Sequence, residues 1–197
     1  MPRYYNRLLG ICLGLVGCMA IISGCTEVSS NTIPDAYGDR REIVVFDVDG
    51  TLTPTITEIY TARQDAAKAV QKYADNGYHI VYLSARPLLF QGAIPTLLNK
   101  NGFPHGDIIV PKTDAEQDNP TIFKARVLNE YRKHGWGIVA AYGDSDTDFL
   151  AYANAKIPKE RVFALQRAGK EHCEHGTWEK CLSVWTEHLE DILQEEK

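Results

Sequence analysis

Two acidic clusters in this sequence have the residue types and the spacing for chemistry at phosphorus. The first is Asp47-Val48-Asp49-Gly50-Thr51, which follows the apolar run Ile43-Val44-Val45-Phe46. Residues two apart on leaving a strand point to the same side, so both carboxylates can face one pocket. Gly50 permits a sharp turn between them and the chain beyond. A carboxylate can attack phosphorus and split a difficult hydrolysis into two easier steps, which makes Asp47 the candidate nucleophile. A neighbouring carboxylic acid, Asp49, can protonate the leaving oxygen and later take a proton from water. Two close acids do not both ionise cheaply without a cation, and hard oxygen ligands suit Mg²⁺. Taken alone, the same five residues could equally be an acidic turn.

The second cluster is Gly143-Asp144-Ser145-Asp146-Thr147-Asp148, again directly after an apolar run, Ile138 to Tyr142. With Asp47, Asp144 and Asp148 would give a magnesium site its carboxylates, and Asp49 would join the metal set through its backbone carbonyl. The alternative is a solvated acidic helix start, which the helix dipole favours by itself. Ser84 ends a third apolar run, His79 to Leu83. Its hydroxyl could hold a phosphoryl oxygen or cap a helix, or do both. Lys124 stands near the start of a helical stretch, where a cation could offset charge on Asp47 and on a phosphoryl group. Thr51 and Arg86 are candidate substrate contacts, Thr51 through the backbone N–H groups around it. Arg86 could equally brace its loop.

These residues need a frame that brings them together. Strand runs at 43–46, 79–83, 108–110, 138–142 and 161–165 alternate with helical stretches at 61–76, 120–134 and about 147–155. A helix opened by Pro87 ends or breaks near Pro95, and 177–194 reads as a C-terminal amphipathic helix. Alternating β and α segments predict a parallel sheet flanked by helices. Ligands in such sheets bind outside the carboxyl ends of the strands, where Asp47, Ser84 and Asp144 all fall. The gaps between Asp47, Ser84 and Lys124 are too short for a lid domain. An open site favours a bulky or membrane-presented phosphate over a small engulfed one.

Taken together, these motifs resemble the haloacid dehalogenase (HAD) superfamily of phosphatases. DVDGT matches its first motif, Ser84 after HIVYL the second, Lys124 the third and GDSDTD the fourth. The resemblance implies a HAD-like Rossmannoid α/β three-layer sandwich with a parallel sheet and a minimal cap or none. It implies Asp47 as nucleophile, Asp49 as acid/base, Lys124 as catalytic cation, and Asp144 and Asp148 as acids of the metal site. A narrower resemblance is to the lipin-type (LNS2) branch, which includes phosphatidate phosphatases. It rests on DVDGTLT at 47–53, YLSARP at 82–87, Phe123-Lys124, Thr147-Asp148 and IPKERVF at 157–163. The chain departs from that branch at Asp144, where lipin-type proteins tend to carry Asn. The implied function is Mg²⁺-dependent hydrolysis of a phosphomonoester, phosphatidate or another lipid phosphate. The alternatives are a nonspecific exported phosphatase on soluble esters and a non-catalytic module that binds lipid headgroups.

The ends of the sequence add a setting. Arg3 and Arg7, an uncharged apolar run from Leu8 to Ile22 and the exit Ile22-Ser23-Gly24-Cys25 describe an export signal. It resembles a bacterial lipoprotein signal with Cys25 as the lipidated residue; Leu15-Val16-Gly17-Cys18 fits the same pattern. The expected divisions are a leader at 1–24, a polar tether at 25–40 and the domain at 41–197. Localisation follows as an exported, membrane-anchored lipoprotein, with no Asp directly after Cys25 to hold it at the inner membrane. The anchor would place the open site beside a bilayer. Loss of Arg3 and Arg7 takes the formal charge from −5 to −7, which argues against nucleic acid as a partner. Cys173 and Cys181 remain as an exported pair and read as a disulfide. A metal site with His172 and His175, or two free thiols, is the alternative.

Overall fold

Strand β1 (Glu42–Phe46) shows why its sheet must be covered on both sides. Val44 and Phe46 enter one apolar cluster, Ile43 and Val45 another, and all four are inaccessible to solvent. A run apolar on both faces belongs in the middle of a parallel sheet. In this computed structural model, which describes residues 32–192, β1 is indeed central. It is joined by β2 (His79–Leu83), β3 (Asp107–Ile109), β4 (Gly137–Gly143), β5 (Val162–Leu165) and β6 (Lys180–Leu182). The six strands run in the order β3-β2-β1-β4-β5-β6, with every pairing parallel.

Helices α1 (Ala66–Asp75) and α2 (Ala93–Lys100) supply Ala69, Val70, Ile94 and Leu97 to the first cluster. Helices α4 (Pro120–Lys133) and α5 (Asp146–Asn154) supply Phe123, Leu128, Phe149 and Tyr152 to the second. The short α3 (Asp114–Asp118) buries nothing. The result is the expected three-layer α/β sandwich. Its strand order reverses between β1 and β4, the crevice where such folds bind ligands. The connections 47–65 and 84–92 carry only turns, one of them a 3₁₀ turn at Leu88–Phe90, so among the described residues no lid domain covers that crevice.

Several sequence expectations need correction. Pro95 does not end a helix; it lies in the first turn of α2, where its missing N–H would have had no intrahelical partner. Over its described part, up to Ile192, the expected helix at 177–194 is instead strand β6 followed by a 3₁₀ turn at Trp185–His188. Leu182, Trp185, Leu189 and Ile192 do have helical spacing. Cys181, however, is bonded to Cys173 and pairs in register with Ala164, which holds the segment in the sheet. Trp185 then turns fully into the first core cluster. The described end of the expected tether at 25–40 carries no helix or strand and rests against the domain. Ala36 N–H donates to the His134 carbonyl, the Trp136 indole donates to the Pro34 carbonyl, and Tyr37 packs edge-on against Trp136. Cys18, Cys25 and the leader lie outside the described residues. Among the described residues, no helix is long and apolar enough to cross a membrane.

Candidate active site

Three strand ends and one helix build the site. Asp47 follows β1 and is tied to β4 by its N–H, which donates to the Tyr142 carbonyl at 2.9 Å. Ser84 follows β2 and is held by its N–H on the Ile109 carbonyl. Asp144 follows β4, beside Asp47, and Lys124 reaches in from the first turns of α4. Carboxylate oxygens of Asp47, Asp144 and Asp148 lie within 4.8 Å of one another, all buried. The two glycines of the motifs are there for room. At Gly50, whose φ is +87°, an added Cβ would meet the Asp144 carboxylate at 2.1 Å. At Gly143 it would meet the Asp148 Cβ at 2.7 Å.

Lys124 stands between two of the acids, donating to Asp47 Oδ1 at 2.5 Å and to Asp148 Oδ1 at 2.6 Å. Burial alone would drive its charge off, but the charges and hydrogen bonds of Asp148 and Asp47 outweigh burial and keep its pKa raised. Three carboxylates nevertheless crowd around this cation. Burial, and then the charges of Asp148, Asp144 and Asp49, push the Asp47 carboxyl well above its ordinary range despite Lys124. Burial and Asp148 push Asp144 up to about 6, with Arg167 pulling against them. Such crowding of acids without enough cations is what a divalent ion relieves. Asp47 Oδ2 is buried and has no hydrogen-bond partner, an orphan that suits a metal or a phosphorus atom.

The four acids do not stand alike. Asp148 has both oxygens engaged. Its Oδ1 takes Lys124, and its Oδ2 accepts from Ser145 N–H, Ser145 Oγ and Asp144 N–H in a capping box that opens α5. Asp148 remains one of the three acids that could hold a metal, and Asp47 is the one with an oxygen, Oδ2, that is buried and free of any partner. The Asp49 carboxylate is outside the cluster, which leaves the backbone carbonyl as its expected contact with a metal. Arg86 Nε and Nη2 clamp its Oδ1 at 3.0 and 2.7 Å, and Ser84 Oγ donates to its Oδ2 at 2.9 Å. Any bond of Asp49 to a metal would run through its backbone carbonyl. Ser84 Oγ also accepts the Arg86 N–H at 3.0 Å, so the hydroxyl braces the Arg86 loop. Arg86 is 3% exposed and its Nη1 has no partner. The Thr51 hydroxyl is likewise buried and unpartnered. The cavity above these groups has a volume of about 410 Å³ and opens between Ile56, Phe90, Pro120 and Arg167.

Sequence reasoning missed the wall formed by the C-terminal third. Arg167 donates from Nε to Asp144 Oδ2 at 2.7 Å and lines the cavity. It sits two residues past the end of β5, so the strand-end rule that found Asp47 and Asp144 could have found it. Arg63 bridges the Thr53 and Gln166 carbonyls, joining the first motif loop to the Arg167 segment. Trp185 donates its indole N–H to the Thr51 carbonyl from the core side. The disulfide Cys173–Cys181 closes a loop that lies in sequence between Arg167 and Trp185.

The fold and this strand-end site place the chain among HAD-like α/β proteins. Two solved structures illustrate the likeness. One is the cobalt-bound deoxy-D-mannose-octulosonate 8-phosphate phosphatase of Haemophilus influenzae, at TM-score 0.51 and 18% identity over 78% of this chain and 87% of that one. The other is the 3-deoxy-D-manno-octulosonate 8-phosphate phosphatase of Moraxella catarrhalis with magnesium and phosphate, at 0.50 and 17% over 78% and 86%. Residues 44–166 match the family described as PITM 1-3, LNS2 domain, and the chain belongs to that family. The membrane-associated phosphatidylinositol transfer protein 1 of Homo sapiens is 30% identical over 131 residues, 64% of this chain and 10% of that protein. Protein retinal degeneration B of Drosophila melanogaster is 29% identical over 140 residues, 69% of this chain and 11% of that protein. The phosphatidate phosphatase PAH1 of Arabidopsis thaliana is 27% identical over 187 residues, 80% of this chain and 21% of its own length. The chain thus spans only about a tenth to a fifth of these curated relatives.

Proposed function

We propose that this protein is a Mg²⁺-dependent phosphomonoester hydrolase acting on phosphatidate or a related lipid phosphate through an aspartyl-phosphate on Asp47. The observation that carries the reading is the buried, unpartnered Oδ2 of Asp47 at a strand-end cavity, beside Lys124 and Asp144. Phosphatidate phosphatases among the relatives support the substrate class. A fold neighbour crystallised with magnesium and phosphate supports the ion.

Asp47, Asp144 and the backbone carbonyl of Asp49 would hold the magnesium ion. When bound, it offsets charge on the carboxylates and on the phosphoryl oxygens. Asp47 attacks phosphorus through one oxygen, forming a P–O bond as the ester P–O bond breaks. Lys124 fixes the other Asp47 oxygen and remains charged between Asp47 and Asp148. Asp49 gives a proton to the departing alcohol and then takes one from the water that releases inorganic phosphate. To reach a leaving oxygen, Asp49 must turn from Arg86. A phosphate arriving at the free Nη1 of Arg86 would compete for that guanidinium and loosen the clamp.

The exported, lipid-anchored setting belongs to the same proposal, and the Cys173–Cys181 bond fits an oxidising compartment. One observation favours a second reading, a phosphatase of soluble esters. The described chain enters at Ile33 to Tyr37 beside His79, His134 and Trp136, at the amino ends of the strands. An anchor there would hold the domain near a bilayer with the site turned away from it.

Turnover of phosphatidate in mixed micelles and of p-nitrophenyl phosphate, each with Mg²⁺ and with chelator, tests both readings. Hydrolysis that survives chelation would overturn the mechanism. Hydrolysis of the soluble ester alone would overturn the lipid reading.

A further inference from the structure

Two loops frame the mouth of the cavity, at 54–60 and 87–92. Ile56, Ile59, Pro87 and Phe90 form its apolar wall. The same loops turn apolar surface outward: Leu89 is 85% exposed and Ile56 71%, with Tyr60, Leu88 and Phe90 about half exposed. Five of the nine exposed large hydrophobic residues among those described therefore lie in two short loops around one opening. Isolated exposed apolar side chains are ordinary, but a cluster continuous with a binding site marks an interaction surface.

We propose that these loops dock on a lipid bilayer surface, seating Leu88, Leu89, Phe90, Ile56 and Tyr60 at the headgroup boundary so that the cavity opens onto it. Three observations select a bilayer as the occupant. First, the loops carry little charge: none from Pro87 to Asn99, and in 54–60 only Glu58, whose carboxylate accepts from Thr55 Oγ1, in a chain with 24% charged residues. Second, the backbone of the protruding turn is largely satisfied from within, as an apolar medium requires. Phe90 N–H donates to the Pro87 carbonyl, Gln91 N–H to the Leu88 carbonyl and Leu88 N–H to the Gln117 side chain, while Gln91 Nε2 takes up the Arg86 and Pro111 carbonyls. Third, the chain enters at the opposite end of the strands. The eight residues from Cys25 to Ile33 span at most about 28 Å when extended. An anchor at that end does not by itself turn the cavity towards the bilayer. In this arrangement the anchor supplies proximity and the loops supply orientation. The inference rests on the lipid-phosphate reading for what arrives at Asp47, but not for the contact itself.

The test uses the full chain reconstituted in phosphatidylcholine vesicles containing a minor fraction of phosphatidate, with brominated phosphatidylcholine as quencher. A Leu89→Trp variant should lose about half or more of its added emission to the brominated lipid, as a tryptophan at the interface does. The native Trp136, Trp178 and Trp185 set the baseline. No quenching of the added signal overturns the proposal, whatever the substrate. In a second arm, Leu88→Asp with Leu89→Asp should lower turnover of vesicle phosphatidate about tenfold and leave p-nitrophenyl phosphate turnover unchanged. Equal loss on both substrates, or on neither, overturns it. Quenching without phosphatidate turnover by the wild type would sink the lipid substrate and leave the docking surface standing. A lipid-free dimer dissolved by the same double variant would reassign the face to a second copy of the chain and overturn the proposal.

Discussion

The two ends of one sheet hold carboxylates in opposite states, buried at one end and partly buried at the other. At the carboxyl ends, Asp47 and Asp144 are crowded by other acids, and both carboxyls are raised. At the amino ends, Asp107 opens β3 and takes His79 Nε2 at 2.8 Å and the Tyr131 hydroxyl at 2.7 Å on one oxygen. Burial works to raise the Asp107 carboxyl, yet those two hydrogen bonds win and hold it below its ordinary range. The sheet is the same, and so is the residue type. What differs is whether the neighbours supply donors or more acid. One end uses its carboxylate to stabilise the fold, while the other carries a cost that only a bound cation and substrate relieve.

Removing the nucleophile should sharpen that contrast most. Asp47→Asn is expected to lower turnover by about a thousandfold or more. The melting temperature should not fall, because one of three crowded acids has lost its charge. Turnover of p-nitrophenyl phosphate with a thermal melt of the same sample reads both. A variant that melts far below the wild type would make Asp47 structural, and the contrast would collapse.

Lys124 tests the site from the cationic side. Lys124→Met leaves Asp47 and Asp148 buried around an uncharged side chain, at a cost of about 3–5 kcal/mol. Denaturant unfolding measures it. A double variant with Asp148→Asn should recover part of the stability but none of the turnover. If Lys124→Met were neutral, the acids would not be held by this cation.

Magnesium should add about 2.7 kcal/mol of stability at a hundred times its dissociation constant, read as a rise in melting temperature. The sign with pH follows from Asp144, raised to about 6 from an ordinary value near 3.9. The folded state binds that proton more tightly than the unfolded chain does. The stability the proton contributes is full below about pH 4 and is lost as pH rises through about 6. The ion competes with the proton, so its stabilising effect should be larger at about pH 7.5 than at about pH 5. An effect equal at both would remove Asp144 from the metal set.

How much of this was legible follows from how local each feature is. Asp47, Ser84 and Asp144 could be read because each ends an apolar run, and a parallel sheet gathers strand ends. Lys124 could be read only once the others were in place, since a single lysine on a helix has no signature. The clamp of Arg86 on Asp49 joins residues 37 positions apart through a loop conformation that no pattern encodes. Arg167 was readable by the strand-end rule and was passed over because β5 had no motif attached. The stripe from Leu182 to Ile192 misled because helical spacing and a strand followed by a tight turn can bury the same side chains. The Cys173–Cys181 bond and the pairing with β5 decide between them.

The smallest expected effect falls at the other end of the sheet. Asp107→Asn keeps the shape and removes the charge that His79 and Tyr131 address. The cost should be about 1–2 kcal/mol, the usual range for weakening hydrogen bonds to a partly buried charged group. Its pH dependence runs opposite to that of Asp144. A carboxyl held below its ordinary range contributes stability that is present above about pH 4 and lost as pH falls through its folded value. The gap between wild type and Asp107→Asn should therefore be full near neutrality and close in acid. Turnover should not change, because Asp107 lies at the far ends of the strands from Asp47. Melts across pH, paired with one activity measurement, decide it. A gap that widened in acid would contradict the hydrogen-bond assignment. A fall in turnover would mean that the amino ends of the strands transmit strain to the site, and the two ends of the sheet could no longer be treated as separate.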